Sequence, residues 1–445
     1  MLPFIHNHHP GIIMKRLLLL ATCLLLLPAS GRSAEEPYGY PVEGSYEATI
    51  MGTPDALKPK LPKSIPTKKL ILHPRGNLKT PGVFFYDQGL RCTLAYQEER
   101  APLVFLIAGT GAGHNAAKMV FLTRALHNAG FHVVTLSSPT HPNFIINASL
   151  SHVPGDLTSD SVDLYRAMEA AWNEIKGDIE VSAFHLAGYS LGGTQAAFVA
   201  RLDEQRQVFR FNRVLMINPA VNLYDSVQRI EALLESIPGG PRKVGTFFNR
   251  MLDRFVEFYQ AGQFIELDDE FLYAIYKARL VSESEAGGLI GLTFRVNSAG
   301  MIFASDVMTN GGYIVPKNRV LLSTDSIDEY FQVGVRLSFL QYFDEYFLPV
   351  QQALRPGLTR ERLIDSLGLQ SIEPYLKDNP KFAALINEDD FILSAADRDY
   401  LRRLFGDRTR VYPRGGHLGN FEYRQNMADM VAFLSNSAQP GGDEQ

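Results

Sequence analysis

The stretch Val181-Ser182-Ala183-Phe184-His185-Leu186-Ala187-Gly188-Tyr189-Ser190-Leu191-Gly192-Gly193-Thr194-Gln195-Ala196-Ala197 decides the fold. Its first seven residues carry the β-branched and aromatic side chains of a short buried strand. From Gly193 onward, Thr194-Gln195-Ala196-Ala197-Phe198-Val199-Ala200-Arg201-Leu202 reads as the start of a helix. Ser190 sits between the two, inside Gly188-Tyr189-Ser190-Leu191-Gly192. A serine on a tight strand-to-helix turn is a nucleophile elbow, and its glycines let the two backbones approach closely. In a chain with 36 glycines the pentapeptide alone is a weak signal, and an ordinary glycine-rich turn competes with it. Its place at a strand-to-helix junction makes it specific.

With this elbow the sequence resembles the α/β-hydrolase superfamily. The resemblance implies a nucleophile, an acid and a histidine in that order along the chain, each at the C-terminal end of a different strand. Near the C-terminus, Pro413-Arg414-Gly415-Gly416-His417-Leu418-Gly419-Asn420 follows a candidate strand, Thr409-Arg410-Val411-Tyr412. A histidine on such a loop can reach over the sheet to Ser190; a turn histidine bonded to backbone is the bland alternative. Lys381 to Asn387 reads as another strand, followed by Glu388-Asp389-Asp390. In similar proteins the second of two acids here usually aligns with the triad acid, which favours Asp390 with Asp389 as its rival. Asp325, after Val320-Leu321-Leu322, is a weaker competitor because no helix and final strand lead from it into His417.

The resemblance also implies two backbone N–H donors for an oxyanion. One is Leu191, immediately after the nucleophile, and the other lies on the loop after the strand Leu103-Val104-Phe105-Leu106-Ile107. Similar proteins often have His-Gly-x at that loop. Here it is Ala108-Gly109-Thr110, so Thr110 takes the position by register. The same glycines, Gly109, Gly111 and Gly113, suggest a dinucleotide turn, but the spacing requires glycine where His114 stands, and no P-loop lysine follows.

The chain has 445 residues, 46% of them hydrophobic, enough for a large core and more than one compact domain. A formal charge of −5 and the lack of a basic tract interleaved with aromatics argue against nucleic acid as a partner. Cys23 falls in an N-terminal apolar run, which leaves Cys92 without an intrachain disulfide partner and best read as a small core residue. His6, His8 and His9 resemble a metal cluster but precede a targeting segment. No cofactor or metal is expected.

That segment has Lys15-Arg16 as a positive region, Leu17 to Leu27 as an apolar core too short for a typical span, and small residues from Pro28 to Ala34 for cleavage. Met14 is a candidate start. The expectation is export to the periplasm or medium, with a mature end between about Arg32 and Glu36. Thr22 before Cys23 makes a poor lipoprotein signal, and an uncleaved anchor is the other alternative.

Five segments follow: 1–34, extension and export signal; 35–82, an irregular lead-in with one or two strands; 83–219, first part of a hydrolase core; 220–380, a helical cap insertion; and 381–437, the second part of the core. Val83 to Tyr96 reads as a hairpin entering the sheet, Asn115 to Asn128 and Asp160 to Lys176 as helices, and Phe131 to Leu136 and Val214 to Ile217 as strands. The fold class is therefore α/β, a mainly parallel sheet with helices on both faces plus the cap. Aromatic residues in the cap fall into two runs, Phe247 to Tyr259 and Phe331 to Phe347, the second spaced to give one helix face. Such stripes are more often core than ligand site; if this one lines the cavity, medium-length acyl chains should be preferred over acetyl.

What the resemblance implies is a serine hydrolase cleaving a small-molecule or lipid-like carboxylic ester through Ser190, His417 and Asp390 and an acyl-enzyme, meeting a membrane only through its export signal. A peptidase, thioesterase or acyltransferase on the same triad, or a non-catalytic binding scaffold, are the alternatives. The serine at the elbow disfavours dehalogenase or epoxide-hydrolase chemistry.

Overall fold

In the computed structural model, which describes residues 38–76, 79–262 and 269–436, eight strands form one sheet in the order β1-β2-β4-β3-β5-β6-β7-β8. They are β1 (Thr67–Leu72), β2 (Leu90–Ala95), β3 (Ala101–Ile107), β4 (His132–Leu136), β5 (Val181–Tyr189), β6 (Arg213–Ile217), β7 (Phe382–Asn387) and β8 (Thr409–Tyr412). The β1–β2 and β2–β4 pairs are antiparallel and the other five are parallel. Chain contacts separate Met1–Gly39 from a unit beginning at Tyr40, and every element described here belongs to the latter. The export segment, Cys23 and the early histidines lie outside the described residues. No described helix is long and apolar enough to cross a membrane.

Parallel strands need cover on both faces, and β3 shows why its sequence is continuously apolar. Leu103, Phe105 and Ile107 join a core with Leu164, Tyr165, Met168, Ala196 and Val199 from the helices Leu157–Ile175 and Leu191–Arg206. Val104 and Leu106, turned to the other face by the two-residue period, are just as completely buried. Cys92 is part of this core, and burial pushes its thiol far up, away from the thiolate a nucleophile needs.

The lead-in is more ordered than its composition suggests. Thr67–Leu72 supplies the first strand of the antiparallel entry, paired from Thr67↔Ala95 to Leu72↔Leu90. The hairpin therefore does not begin at Val83. Lys68 and Lys69 hide this strand from a hydropathy reading, but a sheet edge is where lysines belong, while Leu70 and Leu72 point into the core. Val83 and Phe84 instead turn in a short 3-10 helix and pack against cap residues such as Phe303 and Leu321. A second element in the lead-in is the helix Ser45–Met51, ended by Gly52 at φ 68°.

Between β6 and β7 the chain is helical, from Leu223–Ala232 to Glu373–Leu376. The longest helix among the described residues, Glu283–Thr309, opens with a Ser282/Glu285 capping box and approaches its neighbours through glycines. A Cβ on Gly291 would lie 2.9 Å from Leu234 Cγ. Arg295 on this helix makes a paired ion bridge to Glu231, at 3.0 and 2.7 Å, in a nearly buried setting. Removing one partner of such a pair strands a charge, so the bridge ties the two helices firmly.

The elbow is packed just as tightly. A Cβ on Gly192 would fall inside the van der Waals shells of the Ile107 and Ala108 carbonyl oxygens, 2.6 Å from the latter. Because both obstacles are backbone, Gly192→Ala should lower stability by about 2 kcal/mol or more. The urea midpoint measures this, and an unchanged midpoint would refute the packing argument.

Candidate active site

The C-terminal ends of parallel strands are where an open α/β sheet presents its ligand site. Ser190 follows β5 with φ 53° and ψ −126°, a left-handed region that a non-glycine residue occupies only under constraint. The constraint has named sources. Ser190 N–H donates to Ile217 O at the end of β6, at 2.8 Å, and the Ser190 carbonyl accepts from Gly193 N–H at 2.9 Å. A Cβ on Gly193 would sit 3.3 Å from Ile217 N, and one on Gly188 would overlap Gly192.

His417 comes from the loop after β8, and Asp390 from the loop after β7. The structure brings all three side chains together. His417 Nε2 is 2.8 Å from Ser190 Oγ, and His417 Nδ1 is 3.0 and 3.1 Å from the two carboxylate oxygens of Asp390. The carboxylate can only accept, so Nδ1 carries the proton and Nε2 is free to accept from the serine hydroxyl. Asp390 is 1% exposed, and its remaining bonds come from Asn218 Nδ2 at 2.8 Å and Ile392 N–H at 3.2 Å. A buried carboxylate needs such donors to stay charged.

Asp389 is given different work. Its carboxylate accepts the N–H groups of Gly415 and Gly416, at 3.1 and 2.9 Å, and so fastens the backbone that carries His417. Burial raises its pKa, and these two backbone bonds oppose the rise. Asp325 stays in its own turn, accepting from Leu322 N–H at 2.9 Å.

The loop after β3 lies against the elbow, where a Cβ on Gly109 would be 3.1 Å from Ser190 Cβ. Three of its N–H groups are committed: Ala108 to Leu136 O, Gly111 to Thr140 Oγ1 and Ala112 to Gly109 O. Thr110 N–H has no acceptor among the described residues, and neither has Leu191 N–H in the first turn of its helix. His114, where a dinucleotide turn would need glycine, bonds Thr93 Oγ1 at 3.0 Å, and burial beside His141 pushes its pKa down to about 4.

A cleft of about 580 Å³ opens over Ser190 and His417, lined also by Thr49, Thr110, Phe294 and Phe391. A smaller chamber of about 50 Å³ shares Thr110 and Phe294 with it and is walled by Leu191, Phe339, Phe343 and Phe347. The aromatic stripe thus divides. Phe339, Phe343 and Phe347 face the chamber, while Tyr342 and Tyr346 stack on each other, 5.5 Å apart, within the cap core. Phe343–Phe347 form a π-helical turn, and Phe343 and Phe347 also pack in the cap core behind the chamber wall. In the other run, Phe247 packs with Met51, Ile237 and Met251, and Phe255, Phe258 and Tyr259 lie against that cluster, away from this chamber.

Three residues that sequence reasoning passed over belong to the site. Asn218, whose φ is 45°, orients Asp390, and Thr49 and Ser45 of the lead-in helix bond the loops of His417 and Asp389. An asparagine directly after an apolar strand was a signal that could have found the first. Nothing local marks the other two.

A family model described as the alpha/beta hydrolase family matches residues 104–430. No curated protein matches the sequence. Among solved structures, an esterase from the archaeon Pyrobaculum calidifontis is similar at 16% identity, with 87% of each chain covered and a TM-score of 0.38. A proline iminopeptidase from Mycobacterium smegmatis is similar at 15% identity, over 80% of this chain and 97% of that one, with a TM-score of 0.36. The thioesterase domain from the curacin biosynthetic pathway is similar at 14% identity, over 84% and 100%, also with a TM-score of 0.36.

Proposed function

The chain belongs to the alpha/beta hydrolase family, and from that premise we propose that it is a serine hydrolase of carboxylic esters. The observation that carries this reading is the hydrogen-bonded sequence Ser190 Oγ, His417 Nε2, His417 Nδ1 and Asp390 carboxylate. In the proposed reaction His417 Nε2 takes the hydroxyl proton as Ser190 Oγ attacks the ester carbonyl. The oxyanion is held by the N–H groups of Thr110 and Leu191, the free donors beside the elbow. Collapse breaks the bond to the alcohol oxygen, which leaves with the proton from His417. Water then attacks the acyl-enzyme and gives a proton to His417, which passes it to Ser190 Oγ as the carboxylic acid is released. Asp390 keeps the imidazole in one tautomer and offsets its transient charge.

Ser190→Ala should abolish turnover of short p-nitrophenyl esters and labelling by a fluorophosphonate while the fold persists. Asp390→Asn should cost about four orders of magnitude in kcat, as wrong-tautomer variants of serine triads do, and Asp389→Asn much less. Undiminished turnover in Ser190→Ala would sink the reading; a reversed order of the two aspartates would move the acid.

The chamber beside Thr110 and Leu191 suits the acyl group, and its walls favour an apolar one. With about 10–15 Å³ needed per water-sized position, its 50 Å³ accepts about four heavy atoms, shorter than the medium-length chains expected from the stripe alone. Butyryl esters should therefore exceed acetyl, since each buried methylene contributes about 0.8 kcal/mol, and rates should fall beyond about six carbons. Phe347→Ala should move the optimum to longer chains. A flat chain-length profile, or an optimum unmoved by that substitution, would exclude the chamber as the acyl site.

Export belongs to the same reading and rests on Lys15-Arg16, the apolar run Leu17 to Leu27 and the small residues after it. Protein recovered outside the cytoplasm should begin near Arg32 to Glu36 on N-terminal sequencing. An intact Leu17 to Leu27 would point to an anchored form instead.

A further inference from the structure

The lead-in helix Ser45–Met51 lies on the loop that bears His417, across 368 residues of sequence. Thr49 Oγ1 accepts the His417 backbone N–H at 2.8 Å. Its own proton goes to Ser45 O, also at 2.8 Å, which leaves the oxygen lone pairs toward His417. Ser45 Oγ donates to Asp389 O at 2.7 Å, and Thr53 Oγ1 donates to Gly419 O at 3.0 Å. The backbones touch as well: a Cβ on Gly416 would lie 2.5 Å from Thr49 Oγ1 and overlap Ser45 O, and one on Gly419 would overlap Ala48 O. Gly416 and Gly419 are thus required by this helix, in a loop where the histidine between them needs only reach.

The same helix lines the cleft and reaches the imidazole through Phe391. Thr49 and Ile50 line the cleft with Ser190 and His417. Tyr46 meets Phe391 edge-on at 5.2 Å between ring centres, and Phe391 meets the His417 ring at 6.0 Å. His417 is therefore held at its Nδ1 by Asp390, flanked at its ring by Phe391 and held at its backbone by Thr49. Deleting the Thr49 hydroxyl would leave the His417 N–H without an acceptor in a half-buried setting. The loop would then shift to find one, and a displacement of about 1 Å at a reacting group can cost about a hundredfold in rate.

We propose that Thr49 is a positioning residue for His417, and that the helix Ser45–Met51 is a working part of the catalytic apparatus; the proposal rests on the serine-hydrolase reading above. Its test compares Thr49→Val, which removes the hydroxyl at nearly constant volume, with Thr49→Ser, which keeps it. In Thr49→Val, kcat for p-nitrophenyl butyrate should fall by about 10- to 100-fold with KM within about twofold. The rate of fluorophosphonate labelling at Ser190 should fall in parallel, and the low-field proton resonance of His417 Nδ1–H should broaden or vanish. Thr49→Ser should restore kcat to within about threefold of the parent and restore the resonance. A folded Thr49→Val enzyme with parental kcat and resonance overturns the proposal, as does equal loss in both variants, since Thr49→Ser keeps the hydroxyl and its presence would then not be what sustains the rate. Should Thr49→Val fail to fold, Ser45→Ala carries the test: kcat should drop about threefold or more at constant KM, and a parental kcat overturns the proposal. An unmodified protein inert to both ester and probe overturns the serine-hydrolase reading itself, and this proposal with it.

Discussion

Backbone has to meet backbone at the elbow, and most of the architecture follows from that contact. The first turn of the helix Leu191–Arg206 lies against the carbonyl ends of β3, and the turn before it is hydrogen-bonded to the end of β6. Only residues without a Cβ permit this at 188 and 192, and Gly193 is tightly packed beside them. The contact sets Ser190 at φ 53°, a conformation that costs about 1–3 kcal/mol and persists because the neighbours over-determine it. It also leaves Leu191 N–H, which no helical carbonyl can accept, at the residue that walls the smaller chamber.

A second constraint is electrostatic. Two adjacent carboxylates in a mostly buried corner would repel, and burial raises the pKa of Asp389. The chain separates their surroundings. Asp390 takes the amide of Asn218, the N–H of Ile392 and the imidazole, whereas Asp389 takes two glycine N–H groups of the histidine loop. One acid acts on the ring and the other on the backbone beneath it. The glycines at 415 and 416 serve this arrangement too, since Gly415 adopts φ 145° and Gly416 φ 55°.

The cap contributes both strength and shape. The Arg295–Glu231 bridge and the glycine face of Glu283–Thr309 press it onto neighbouring helices, and Asp306 near its C-terminal end accepts three successive N–H groups from Tyr313 to Val315. The aromatic rod from Phe339 onward then has two sides to satisfy. Tyr342 and Tyr346 fill the cap core, and the phenylalanines wall a chamber. An expectation of pure packing and an expectation of a pure substrate wall each describe half of this rod.

What the sequence by itself determined is local and strong. The run into Gly188-Tyr189-Ser190-Leu191-Gly192 specifies strand, strained turn and helix, because each of those states has its own residue requirement within a few positions. The apolar runs of β3, β4, β6 and β7 were legible for the same reason, since strands covered on both faces have no polar alternation to obscure them. The edge strand Thr67–Leu72 was not, because an edge tolerates Lys68 and Lys69 and its partner lies some twenty residues on. Which aspartate meets His417 was open as well: neighbouring residues on a loop differ in direction, and only the donors around them fix it. Tertiary structure alone decided the role of the lead-in helix. Thr49 and Ser45 have no motif around them, and their value comes from a loop 368 residues away whose glycines admit them. Propensity and periodicity act over a few residues, whereas the close approach of two distant backbones is a property of the packed whole.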